Sequence, residues 1–162
     1  MNLNNRALMT AGGIGVGLRI LFALCGSVVD FAPLAVDDTA TLAALGTFLL
    51  VLCACNWTIA VGIGFAYPFF AARDGVVAIG DCAIGGAIAT AGAGLIGGLL
   101  SACSTIVAPF VITPDFATDA IAANAGGIVG VICGGLIGGA IVGAIGGAIG
   151  AATVGKKTQG AQ

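Results

Sequence analysis

No histidine occurs anywhere in the 162 residues. That removes the commonest metal and haem ligand, the usual general base, and the usual axial ligand of chlorophyll-type pigments. Charge is nearly as scarce, with five Lys and Arg against seven Asp and Glu, or 7% of the chain, where a soluble domain carries roughly 25%. A soluble core could not absorb so much apolar surface, and the basic residues are too few and scattered for a nucleic-acid surface. Net charge is −2. The apolar runs between the charges exceed the roughly 20 residues that cross a bilayer, so the expectation is one membrane domain with no soluble module.

What the chain has in excess is glycine, 29 residues of it, and alanine. The stretch Ala120 to Val154 contains no charged side chain and reads as a membrane-spanning helix of glycine-zipper type. Gly126, Gly130, Gly134 and Gly138 follow one another at four-residue spacing, and a second file, Gly135, Gly139, Gly143 and Gly147, takes over as the first drifts round the helix. Small residues in such files let two helix backbones approach closely in lipid, where hydrophobic burial cannot drive association.

Four apolar runs can be read along the chain. The first covers about 8–29 and is interrupted only by Arg19. A secretory signal is the rival reading, but Arg19 would split its apolar region, and Leu24 stands where a small residue should precede Cys25. The second covers about 41–67 and ends in Phe65, Tyr67, Phe69 and Phe70, with Pro68 expected to stop the helix at the lipid-water interface. Asn56-Trp57-Thr58 matches a glycosylation acceptor but lies mid-span, which removes its meaning.

After the turn Arg73-Asp74-Gly75, the third run extends from Val76 to Ile112 and carries one charge, Asp81. It is too long for one perpendicular span, so a helix over about 76–102 is expected, followed by a short interfacial segment around Pro109. Gly85, Ala89, Ala93, Gly97, Ser101 and Gly86, Thr90, Gly94, Gly98, Ala102 form two adjacent small-residue files on it. They complement the fourth run, about 120–154. The expected architecture is therefore an all-α integral membrane four-helix bundle, with glycine-zipper packing of the third and fourth helices.

Sidedness follows from lysine and arginine. With four spans, Arg6, Arg73, Lys156 and Lys157 fall on one side and Asp30, Asp37, Asp38, Asp115 and Asp119 on the other, which makes both termini cytoplasmic by the positive-inside rule. Asp30-Phe31-Ala32 and Asp115-Phe116-Ala117 recur in equivalent loops, an echo that a parallel duplication would leave.

Six cysteines, Cys25, Cys53, Cys55, Cys82, Cys103 and Cys133, all fall in apolar runs, where a thiol behaves as a small hydrophobe. Cys53 and Cys55 point apart on a helix and make a poor metal clamp. Cys25 and Cys103 should lie near one membrane face, which leaves a disulfide between them open. No metal or cofactor is expected.

Arg19 is the residue that most needs an explanation. Counted from the cytoplasmic edge at about 1.5 Å per residue, its backbone lies roughly 16 Å deep, near the middle of a ~30 Å core. A lone charge there costs at least about 2.5 kcal/mol, so a partner or water is expected. Asn56 stands at the same level, and Asp81 at the height a snorkelling Arg19 side chain would reach. One polar cluster of Arg19, Asn56 and Asp81 follows. It can be a buried pair that fixes helix register or the lining of a path for an ion, proton or solute.

Catalysis finds no support in the residues. Ser27, Ser101 and Ser104 have no histidine to activate them, and the glycine runs lack the lysine and strand of a phosphate loop. The chain is expected not to be an enzyme.

The Ala72-Arg73-Asp74-Gly75 turn leading into a Gly/Ala helix, and the Gly126 to Gly150 stretch ending in Lys156-Lys157, resemble the small glycine-rich four-span membrane proteins of prokaryotes. The resemblance implies a multi-pass protein of a prokaryotic cell membrane and supplies no activity, ligand or site. Two functions are carried forward. The first is a structural or accessory subunit that packs in the lipid bilayer with copies of itself, or with a larger membrane complex, through Gly85, Gly97, Gly126, Gly130, Gly134, Gly138, Gly143 and Gly147. The alternative is a small oligomeric channel or transporter for an anion or neutral solute, because arginine repels cations.

Overall fold

The computed structural model describes residues 3–31, 39–75, 78–112 and 117–159. These form four α-helices: α1 (Asn5–Phe31), α2 (Thr39–Ala72), α3 (Ile79–Ile112) and α4 (Ala117–Gln159). Each contains a stretch long and apolar enough to cross a membrane, Asn5–Cys25, Leu50–Ala72, Ile79–Val107 and Ala125–Val154 respectively. The chain is thus an all-helical bundle with the build of a multi-pass membrane protein. Asp37, Asp38 and half of the two repeated Asp-Phe-Ala triplets, Ala32, Asp115 and Phe116, lie outside the described residues.

Helix ends follow local chemistry. Asn4 caps α1, its side-chain oxygen accepting from the Ala7 backbone N–H at 3.0 Å, while its own carbonyl accepts from Leu8 at 2.9 Å. At the far end of α2, the backbone N–H groups of Arg73, Asp74 and Gly75 donate to carbonyls three residues back, and Gly75 adopts φ +82°. Only glycine takes that left-handed conformation freely, so it stops the helix.

Two expected stops do not occur. α2 runs through Pro68 to Ala72 rather than ending at Tyr67, and α3 continues past Pro109 to Ile112 rather than ending near 102. Proline removes one donor, but in lipid a broken helix would leave several backbone groups without water, so continuing is the cheaper solution. Pro68 is fully buried, and its ring would lie 3.0 Å from a Cβ at Gly150 of α4.

The central element is α3, which packs on each of the other three helices and is 44% buried across its span against 22% or less for the rest. Its most extensive neighbour is α4, while α1 rests on α2 and α3. The two helices α3 and α4 run antiparallel in a regular ladder. A Cβ added at Gly147, Gly143, Gly139 or Gly135 would strike Cys82, Gly86, Thr90 and Gly94 in turn, mostly at backbone carbonyls, and one at Gly98 would lie 3.1 Å from Ile132. Backbones approach closely here, with the Thr90 side chain the one that packs against Gly143.

The buried apolar cluster, Ala7, Ala11, Ile63, Tyr67, Ala71, Cys82, Ala89, Ala93 and Ala151, lies wholly in the half of the bundle that holds the start of α1, the α2–α3 turn and the end of α4. Tyr67 is its largest member, with no exposed surface. Its ring sits over Gly85, and its hydroxyl accepts from the Asn4 backbone N–H at 3.3 Å. Asn4 in turn donates from its side chain to Asp74 at 2.6 Å, tying the N-terminus to the α2–α3 turn. This half also carries Arg6, Arg73 and the end of α4 at Lys156 and Lys157. Outward faces bear Ile14, Leu21, Leu50, Val51, Ile137, Ile141 and Ile145, each more than half exposed, as lipid-facing surfaces require.

Candidate functional site: a mid-bundle cleft over Arg19

Arg19, Asn56, Gly97 and Gly138 stand near the midpoints of α1, α2, α3 and α4 respectively. Arg19 leaves α1 toward α3 because Gly97 has no side chain: the aliphatic stem lies across it, with Cδ 3.3 Å from where a Cβ would be. The side chain is only 8% exposed. Its terminal nitrogen Nη1 donates to the Asn56 side-chain oxygen of α2. Its Nε is buried and has no hydrogen-bond partner.

Above this pair the helices part. A cleft of about 510 Å³ opens between all four, with Arg19, Asn56 and Trp57 at its floor, Phe22, Leu52 and Val131 on its walls, and Ser101, Ser104 and Thr105 along α3. From Gly94 to Thr105 it follows α3 for roughly 16 Å at about 1.5 Å per residue, away from the basic end. Below it, the Gly94–Gly135 approach and the ladder beyond it close the bundle. Thr90 is fully buried there, its hydroxyl donating to the Gly86 carbonyl at 2.8 Å. The cleft thus lies on one side of the Gly94–Gly135 approach and the close-packed ladder on the other.

The expected trio is thus split. Asn56 meets Arg19, but Asp81 does not: Arg19 lies beside Gly97, sixteen residues further along α3, or roughly 24 Å at about 1.5 Å per residue. The parallel α1 and α3 pair Gly15 with Ala93 and Arg19 with Gly97, which sets Asp81 level with the start of α1. Snorkelling reaches several ångströms, not this far. Asp81 instead belongs to the Tyr67 and Cys82 neighbourhood at the close-packed end.

The eight glycines read as packing positions also divide. Gly143 and Gly147 face α3, a Cβ at Gly138 would lie 3.4 Å from the Trp57 ring, Gly85 receives Tyr67 and Gly97 receives Arg19. Gly126, Gly130 and Gly134 are not in close packing with any described residue, since a Cβ at any of them would meet none within 4 Å. Gly130 and Gly134 border the cleft, and Gly126 lies beyond the level at which α3 and α4 diverge. All six cysteines are free, including Cys25 and Cys103. Among the described residues no group of histidine, cysteine or acidic side chains could hold a metal.

The hydroxyl row was missed in the sequence. Ser101, Ser104 and Thr105 stand at i, i+3 and i+4, one helix face in phase with Gly94, Gly97 and Gly98, and that spacing is a usable signal. Ser104 and Thr105 donate to the Ser101 carbonyl at 2.8 and 2.9 Å, and a hydroxyl can exchange such a bond for one to another acceptor by rotating its proton. The arrangement supplies a fixed positive charge, an amide and three hydroxyls in an apolar frame.

No family model, no curated protein and no solved structure matches the chain.

Proposed function

We propose that the protein is a non-catalytic membrane protein whose cleft is one half of a path for a small anion or neutral solute, as in a small channel or transporter. The observation that carries this reading is the buried Arg19 lining a mid-bundle cleft that lies wholly on one side of the packed α3–α4 ladder. A pair needed only for helix register would be enclosed by packed side chains, whereas this one faces a volume that could hold solute and water. Positive charge at the floor excludes cations. Glycine-zipper packing of α3 and α4 belongs to the same proposal, supported by the ladder from Gly147 to Gly135. It would let the close-packed half part and close again without rotamer changes.

Reconstitution in proteoliposomes tests the path. Flux of iodide or of glycerol should exceed that of protein-free liposomes several-fold. Equal rates for both solutes with and without protein would end this reading.

The one-sided Arg6, Arg73, Lys156 and Lys157 support a topology with both termini in the cytoplasm and the cleft in the outer half of the bundle; the membrane we propose is the cell membrane of a prokaryote. In a cysteine-free background, Ala78→Cys and Thr118→Cys should react with an impermeant maleimide from opposite sides of the membrane, Thr118→Cys from the outside. Labelling of both from one side would contradict the topology.

A second reading, a structural subunit packing with copies of itself or a larger complex, is favoured by one observation. Gly126, Gly130 and Gly134 form a row of small residues with no described residue within 4 Å of where a Cβ would stand, room that a helix of another subunit could fill.

A further inference from the structure

Arg19 is a permanent cation, because a guanidinium does not lose its proton in proteins. Its hydrogen-bond partner Asn56 is neutral, and none of the described residues lining the cleft is acidic. The Nε donor is buried yet unused, although an unsatisfied buried donor costs about 1–3 kcal/mol and more when it is charged. Arg19, a side chain more than nine-tenths buried whose only hydrogen-bond partner among the described residues is a neutral amide, lines a cleft large enough for a ligand.

We propose that the floor of this cleft binds one small monovalent inorganic anion, of the class of a halide or nitrate, on the Arg19 guanidinium. The proposal rests on the pathway reading above and names its ligand. Charge decides the valence. At mid-bilayer depth one anionic charge cancels that of Arg19, whereas a divalent ion would leave an uncompensated negative charge in a low-dielectric site with no second cation to meet it. The walls decide the size and hydration. Phe22, Leu52 and Val131 offer nothing to a bulky polar organic anion, while the Ser101, Ser104 and Thr105 hydroxyls can turn their protons toward an ion that has shed part of its water.

The chain contains its own reporter. Trp57 is the single tryptophan, it lines the cleft beside Asn56, and iodide quenches tryptophan on contact. With the protein in nanodiscs at constant ionic strength, iodide should quench Trp57 along a saturating curve. Chloride or nitrate should relieve that quenching and sulfate should not. In Arg19→Gln the saturating part should vanish, leaving collisional quenching linear in iodide, while Arg19→Lys should retain saturation with affinity weakened about tenfold. Linear quenching of the wild type, identical to Arg19→Gln, would overturn the site; relief by sulfate equal to that by nitrate would overturn its monovalent selectivity. Should Arg19→Gln fail to fold, the wild-type competition decides the matter alone. Saturable quenching without flux would keep the site and sink the pathway, and glycerol flux with linear quenching would do the reverse.

Discussion

Gly143→Val should cost the bundle about 3 kcal/mol or more, the upper end of what overpacking a close contact costs, and should be the most damaging single change in α4. A Cβ at Gly143 would press on the Gly86 carbonyl and lie 2.5 Å from the Thr90 hydroxyl and 2.6 Å from its Cβ. Neither neighbour can yield easily. The Gly86 carbonyl is part of α3's backbone, and Thr90 is fully buried with its hydroxyl bonded to that same carbonyl. Relief requires α4 to move away from α3, which opens the ladder at Gly139 and Gly147 as well.

Gly134→Val provides the contrast. Its Cβ meets nothing within 4 Å, so the same substitution on the same helix should shift stability by no more than about 0.5 kcal/mol. Thermal melting of both variants in one detergent checks the pair. Equal losses would mean that α3 and α4 do not meet along this face.

The Arg19–Asn56 pair should show an inverted order of effects. Asn56→Leu removes the acceptor and leaves a guanidinium at mid-bundle with no partner, a loss of about 1–3 kcal/mol. Arg19→Leu removes the buried charge itself, and replacing a buried ionic group by an apolar one is often neutral or stabilising. Once Arg19 is gone, the second substitution has little left to destroy, so the double variant should match Arg19→Leu. The coupling in this cycle should reach about 1–3 kcal/mol, while Arg19→Leu with Asp81→Leu, roughly 24 Å apart by helix rise, should be additive. Additivity of Arg19 with Asn56 would mean that their contact has no weight.

Much of the architecture can be read from the residues because lipid imposes so few solutions. Four apolar runs separated by polar turns must be four helices, and counting residues from the polar edges puts Arg19 and Asn56 at one depth. The same counting failed for Asp81, since it depends on where each span begins. α1 starts at Asn5 rather than near 8, and its parallel register with α3 places Arg19 beside Gly97.

Which glycine file packs was equally invisible. Gly134 and Gly135 belong to files of nearly identical composition about 100° apart, and only the rotation of α4 on its axis decides that Gly135 meets Gly94 while Gly134 borders the cleft. The cleft itself has no sequence signature of its own. It arises where α4 leaves α3 above Gly98, and only then do Ser101, Ser104 and Thr105, unremarkable among small residues, become its polar wall.

The central claim is that Arg19 serves a path rather than the fold, and those two roles can be separated in one variant. Arg19→Leu, reconstituted at the same density and orientation as the wild type, should melt at the same temperature or higher and yet lose at least nine-tenths of the protein-dependent iodide flux into liposomes. A variant that melts normally and conducts iodide as the wild type does would contradict the account.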